Sequence, residues 1–248
     1  MNVIYIMWIR ELKRYMRSRA QIVASLGQPI LYLVGLGFGM GPIFQKAGQG
    51  NYIQFMAPGI ISMAVLFSSI FSGMGLLWDR QFGFLRETLV APVPRYQIML
   101  GRTLGGATVA VCQGLLVTIV CLLAGFRFHS ALGFPLALLF MLMIAGLFAA
   151  MGTTIGSVLQ NMQGFQFIMG FLVMPIFFLS GALYPLKNLP AALTVVTRMD
   201  PLSYGVDGMR TALIGQSVFS LGVDATVLLA GAVALLFVCT HFFSKIVV

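Results

Sequence analysis

Charge is scarce in this chain. Of 248 residues only 8% are Asp, Glu, Lys or Arg, where a soluble domain uses about a quarter to cover its surface. With 59% hydrophobic residues and a mean hydropathy of +0.97, most of the surface faces something other than water, and lipid is the simplest solvent of that kind. Acids are scarcer still: Glu11, Asp79, Glu87, Asp200, Asp207 and Asp224 are all of them, and none falls in the middle of an apolar run. The two histidines, His129 and His241, also sit near run ends. A proton-coupled pump needs a titrating group within its pathway, and an intramembrane hydrolase needs a base beside its nucleophile; both classes are excluded. Metal sites lack ligands: Cys112, Cys121 and Cys239 lie singly in apolar runs, without a CxxC pair or a histidine at ligand spacing. No GxxxxGK[ST] is present, so the chain has no P-loop of its own.

The basic excess, a net charge of +9, is not spread as a nucleic-acid-binding face. It gathers at the ends of apolar segments, where membrane proteins use it to set topology. Six such segments are legible: 21–41, interrupted by Gln28 and Pro29, then 52–77, 98–125, 132–158, 165–184 and 222–243. Each has about 20 residues or more, enough to cross a roughly 30 Å hydrocarbon core. With the N-terminus in the cytoplasm, the inner side holds Arg10, Lys13, Arg14, Arg17, Arg19, Arg80, Arg86, Arg95, Arg102 and Lys245, and the outer side Lys46, Arg127, Lys187, Arg198 and Arg210. That asymmetry predicts both termini inside.

Residues 1–20 read differently from the rest. Ile4, Trp8, Leu12 and Tyr15 recur at helical spacing, while Arg10, Lys13, Arg14 and Arg17 share the other side, the pattern of an amphipathic helix suited to a membrane interface. The charges follow the apolar start, so a cleaved signal peptide is not expected. Two connections are long. Residues 78–97 read WDRQFGFLRETLVAPVPRYQ, with a short amphipathic helix around Phe84–Leu89 ended by Pro92 and Pro94. Residues 185–221 are punctuated by Pro190 and Pro201, which predicts short helices over 191–199 and 202–214, with Asp207 and Arg210 spaced to pair. GxxxG steps at Gly35/Gly39, Gly101/Gly105 and Gly152/Gly156 suit close helix packing. Phe67 and Phe71, with Phe167, Phe171 and Phe178, are candidates either for packing or for lining a hydrophobic path.

Three stretches in this order carry a family resemblance: FGFLRETLVAPVPR at 82–95, PIFFLSGALYPLKNLP at 175–190, and DPLSYGVDGMRTALIG at 200–215. The chain resembles the permease subunit of bacterial ABC-2 type exporters, the group that includes daunorubicin-resistance and nodulation-factor permeases. The resemblance implies an all-α integral membrane fold of the type V exporter kind, one permease domain over 1–248 with six transmembrane helices and an N-terminal interfacial helix, in a bacterial inner membrane. It implies a dimer of this subunit above two copies of a separate ABC ATP-binding subunit, which binds the ATP and magnesium; this chain binds no cofactor and is not itself an enzyme. Phe84, Leu85, Arg86, Glu87 and Leu89 match the coupling helix seated on the ATPase. The helix carrying Arg10, Lys13, Arg14 and Arg17 matches the interfacial helix. Substrate passes between the two copies along the second and fifth helices. Apolar, aromatic-rich spans suit a drug or lipid-linked molecule as cargo. The alternatives are a (lipo)oligosaccharide or polysaccharide exporter and, outside transport, a membrane scaffold.

Overall fold

Apolar runs this long can satisfy their backbone polar groups in lipid only within themselves, so helix is the outcome the solvent allows. The computed structural model describes residues 3–46, 51–90, 92–130, 133–186 and 190–244, and among them there is no strand. Lys187 and Lys245 of the charge count lie outside the described residues. Six helical stretches are long and apolar enough to cross a membrane: Arg19–Lys46, Tyr52–Gln81, Arg95–Leu123, Gly133–Val158, Met162–Leu179 and Leu221–Ser244. The chain is a multi-pass membrane protein.

In chain order, α1 (Val3–Arg17) is the amphipathic helix and α2 (Arg19–Lys46) the first span. The second span is α3 (Tyr52–Ser72) continued by α4 (Met74–Gln81), then comes the short α5 (Phe84–Val90). The third and fourth spans are α6 (Arg95–Leu123) and α7 (Gly133–Val158). The fifth is α8 (Met162–Ile168), a π turn (Met169–Val173) and α9 (Met174–Leu179). Two short helices, α10 (Ala191–Met199) and α11 (Pro201–Ile214), precede the last span, α12 (Leu221–Ser244).

Local chemistry sets several of these limits. Asn51 and Asn161 cap α3 and α8 by accepting from the amides of Ile53 and Gly164. Asp200 caps α11 by accepting from Leu202 N–H, with Pro201 in the first turn. The sequence marks Gln28-Pro29 as a break, yet α2 runs through both Pro29 and Pro42 to Lys46, five residues beyond its expected end. Prolines are tolerated in this way where neighbouring groups satisfy the freed carbonyls.

The core sits around α3. Two thirds of the α3–α4 span is buried, against 17% for the first span, 22% for the fifth and 11% for the last, so those three form the periphery. Small residues let the central helices meet backbone to backbone. Gly73, at the α3–α4 break, lies against the Gly152 carbonyl, and Gly156 lies against the carbonyl of Gly73. Gly101 and Gly105 receive Ile4, Met7 and Glu11 of α1. Four of the six GxxxG glycines thus serve packing within the chain. Gly35 and Gly39 on α2 face open space.

Candidate functional site

The inner end of the bundle is built around α4 and α5. The chain reverses between them at Gly83, whose φ of +80° only glycine adopts readily. On α5, Thr88 Oγ1 donates back to the carbonyl of Phe84. Leu85 is buried in a small apolar cluster with Met7, Leu76, Ile98, Met99, Cys239 and Phe243, which fastens α5 to α1, α4, α6 and α12. Phe84, Glu87 and Val90 are exposed. Of the five coupling-helix residues named from the sequence, Leu85 therefore faces the chain's own body while Phe84 and Glu87 face outward. The side chains of Arg86 and Leu89 lie outside the described set.

Two adjacent charges on α4 anchor this hairpin. Asp79, only 5% exposed, accepts from Arg10 Nη2 at 2.7 Å and pairs with the buried guanidinium of Arg102 on α6. Arg80 turns the other way and donates to the carbonyls of Leu159, at 2.7 Å, and Ser157, at 3.3 Å, where the end of α7 leaves acceptors without intrahelical partners. Arg95, at the start of α6, donates to the carbonyl of Ser244 at the end of α12. Helix α4 is thus tied to three others, α1, α6 and α7, and α6 in turn to α12. The sequence pattern marks these arginines as topology signals, and the structure gives them a second role as clamps.

Helix α1 docks lengthwise on α6. Trp8 Nε1 donates to Thr108 Oγ1 at 2.9 Å, and the Tyr15 hydroxyl donates to Gln113 Oε1 at 2.7 Å. Contacts advance together along both helices, from Ile4 at Gly101 to Tyr15 at Gln113, so the two run in the same direction. Burial raises the Tyr15 phenol, with a smaller contribution from the nearby Cys112 thiol. The cationic set Lys13, Arg14 and Arg17 remains exposed, while Arg10 is half-buried by its bond to Asp79.

Between α1, α2, the α3–α4 span and α6 lies a half-open groove of about 580 Å³. Phe67 and Phe71 line it, as do Met63 and Ala64. The rest of its lining is markedly polar: Glu11, Arg14 and Tyr15 come from α1, and Gln28, Ser68 and Gln113 from the spans. Amides and hydroxyls do not titrate, yet in lipid they need partners just as much.

The aromatic residues of the fifth span divide. Phe167, Phe171 and Phe178 point away from the chain, 73%, 89% and 47% exposed. The rings that meet neighbouring spans are instead Phe165, against Phe71 of the second span, and Phe177, against Phe67 of the second and Tyr32 of the first. The buried stripe Phe165, Met169, Val173 and Phe177 repeats every four residues. That spacing is wider than an α-helix keeps, and the π turn between α8 and α9 supplies the difference.

At the opposite end, the expected Asp207–Arg210 pair is corrected. No ion pair joins them among the described residues, because each finds a stronger local demand. Asp207 accepts from the amides of Val218 and Phe219 and so closes the α11–α12 turn. Arg210, 3% exposed, donates to the Gly181 carbonyl at 3.0 Å and lies 4.1 Å over the Phe55 ring. Burial lowers its pKa to about 10, against the opposing pull of Asp207. Helices α10 and α11 start and stop within a residue of the limits that Pro190 and Pro201 predict.

Known proteins are similar to this chain in sequence. The chain is 27% identical over 212 residues to Nodulation protein J of Rhizobium leguminosarum bv. viciae, covering 84% of this chain and 81% of that one. It is 28% identical over 235 residues to the inner membrane transport permease YadH of Escherichia coli K12, covering 94% and 91%. It is 32% identical over 203 residues to the putative transport permease ycf38 of Pyropia yezoensis, covering 78% and 68%. The family model described as ABC-2 type transporter matches residues 2–214, which take in α1, the α4–α5 hairpin, the groove and α11. By that match the chain belongs to the ABC-2 type transporter family.

Proposed function

We propose that this chain is the membrane-spanning subunit of an ATP-driven exporter, working as a permease dimer beneath which two separate ABC ATP-binding subunits bind ATP and magnesium. One observation carries the reading: α5 is short, presents Phe84 and Glu87 outward, and follows directly on α4, whose Asp79 and Arg80 bind helices on both sides of the bundle. A body whose spans carry acids only near their ends, among the described residues, is suited to draw its energy from outside, and a partner that changes shape with nucleotide needs such a handle to favour one state over another. The end bearing α1, α4 and α5 also carries Arg10, Lys13, Arg14, Arg17, Arg19, Arg80 and Arg95. That concentration supports placing it in the cytoplasm, with both chain termini on that side. The relative named as an inner membrane transport permease supports the same membrane for this chain.

The cargo is amphipathic, a drug-like or lipid-linked molecule. The outward rings Phe167, Phe171 and Phe178 offer an apolar wall to a path between two copies, while the groove adds amides and hydroxyls that a purely apolar cargo would leave unused. The same amides and hydroxyls favour, as a second reading, a cargo carrying sugar on a lipid.

The test is reconstitution with candidate ABC ATPase subunits from the same organism. The complex is expected to hydrolyse ATP faster than the ATPase alone, and Arg86→Ala combined with Glu87→Ala is expected to remove the increase. A stimulation that survives the double substitution would overturn the coupling role of α5. An absence of any complex would favour a scaffold.

A further inference from the structure

We propose that the groove between α1, α2, the α3–α4 span and α6 is a binding site for an anionic amphiphile, with Arg14 holding its phosphate or carboxylate head and Phe67 and Phe71 flanking its apolar chain. The assignment rests on the transport reading and deepens it by naming a substrate class.

Size and shape come first. About 580 Å³ is within the range of sites that hold small organic ligands. Along the second span the lining runs from Met63 to Trp78, which at 1.5 Å per residue is about 22 Å. A single leaflet's hydrocarbon is roughly 15 Å deep, half the bilayer core. The groove therefore has room for a chain and for a head beyond it.

Its lining joins two chemistries. Met63, Ala64, Phe67 and Phe71 form an apolar stretch. The lining itself carries one cation, Arg14, and one acid, Glu11, and a further charge cluster lies outside the lining. Arg10 and Arg102 share Asp79. Glu11, Arg10 and Arg14 all lie near enough to Arg102 to act on its charge. Three guanidinium groups therefore stand against two carboxylates. Among the described residues Arg14 has no ion pair, so the excess positive charge is its own. Gly75 makes room for it: Arg14 Nη1 lies 3.1 Å from the position a β-carbon would occupy there. A guanidinium held open at the mouth of a groove suits an oxyanion, which it can bind through two parallel N–H donors.

A second polar group is unsatisfied nearby. Gln113 is 2% exposed and its Oε1 is taken by Tyr15, while its Nε2 has no partner. An amide donor left unpaired beside a membrane groove is costly, and since this atom is closed to solvent the side chain must turn toward the groove for an ester or hydroxyl oxygen of a bound amphiphile to relieve it.

Trp78 lines the groove and provides the probe. The chain has two tryptophans, so Trp8→Phe leaves Trp78 alone to report. The protein, without any ATPase, is placed in nanodiscs of zwitterionic lipid containing a small fraction of brominated phosphatidylglycerol or, in parallel, brominated phosphatidylcholine. The anionic quencher is expected to act severalfold more strongly on Trp78. Arg14→Gln is expected to reduce it to the zwitterionic level, Arg14→Lys to keep most of the preference, and Gln113→Leu to weaken it. Equal quenching by both lipids, or a preference unchanged in Arg14→Gln, would overturn the proposal. If inorganic phosphate abolished the preference as completely as unlabelled phosphatidylglycerol, the site would be one for free anions and the amphiphile assignment would fall. Because no nucleotide enters the measurement, a failure here is distinct from a failure of ATPase coupling.

Discussion

Asp79 and Arg102 form an ion pair that both residues bury almost completely, each side chain 6% exposed, and it joins the end of the second span to the third. Two charges in so dry a place hold together because each is the other's solvent. Removing one leaves the other stranded, which in protein interiors costs roughly 3–5 kcal/mol.

Asp79→Ala is accordingly expected to lower the thermal stability of the purified protein sharply. The double substitution Asp79→Ala with Arg102→Leu should recover much of the loss, since no unpaired charge remains. Arg10→Gln should cost far less, within about 1 kcal/mol, because the Arg10 side chain is 37% exposed and water screens its half of the interaction. Unfolding curves in detergent would measure all three. Additive effects of the two buried substitutions would contradict the pairing.

The two faces of α5 should separate by experiment. Leu85→Ala opens a cavity in the cluster beneath the helix and is expected to destabilise the fold by roughly 2–5 kcal/mol. Phe84→Ala, on the exposed face, should leave the melting temperature unchanged while reducing the ATPase stimulation measured on the reconstituted complex. Equal loss of stability from both would mean that the outward face also packs within the chain.

The glycines at the central crossing should tolerate nothing larger. Gly152→Val places a side chain into the backbone of α3 near Ile70, and with no flexible neighbour to give way the cost is expected at about 1–3 kcal/mol or more. Gly35→Val, on the open face of α2, should alter monomer stability by no more than about 0.5 kcal/mol. Melting temperatures compared in the same detergent decide between them.

Asp200 gives the outer end a pH dependence. Burial pushes its carboxyl up to about 7, against the opposing hydrogen bonds from Leu202 N–H and the Ser203 hydroxyl. The folded state thus holds a proton that the unfolded chain releases near its ordinary value of 3.8. This contribution to stability is complete below about pH 4. It is lost as pH rises through about 7. Asp200→Asn keeps an acceptor for the cap and is expected to flatten the melting temperature across pH 5 to 8. Asp200→Ala should cost about 1 kcal/mol below about pH 4 through the lost cap, and its deficit against the natural chain should shrink as pH rises toward 7.

What could be read from the chain alone depended on the range over which its information acts. Pro190, Asp200 and Pro201 mark α10 and α11 locally, and those helices lie where the prolines predict. Hydropathy places the six spans because lipid tests each segment by itself. The burial of Asp79 is illegible in this way, since one of its partners, Arg10, is 69 positions distant and nothing nearby signals that the residue leaves water. Which phenylalanines of the fifth span turn inward is illegible for another reason: the π turn shifts the phase, so Phe165 and Phe177 pack inward while Phe167, Phe171 and Phe178 do not. The role of Gln113 is illegible because a single neutral amide in an apolar run carries no titrating charge to mark it, although Tyr15 singles it out in space.

The grip of Arg80 on the last carbonyls of α7 has a mechanical meaning. With Asp79 fixed to α1 and α6 on one side and Arg80 to α7 on the other, α4 cannot tilt without carrying three helices. A push delivered at α5 would therefore be spent little on local bending. It would travel as the displacement of a stiff block, and the compliance of the molecule would lie at its rim, in α2 and in the π-wound fifth span, where few neighbours resist.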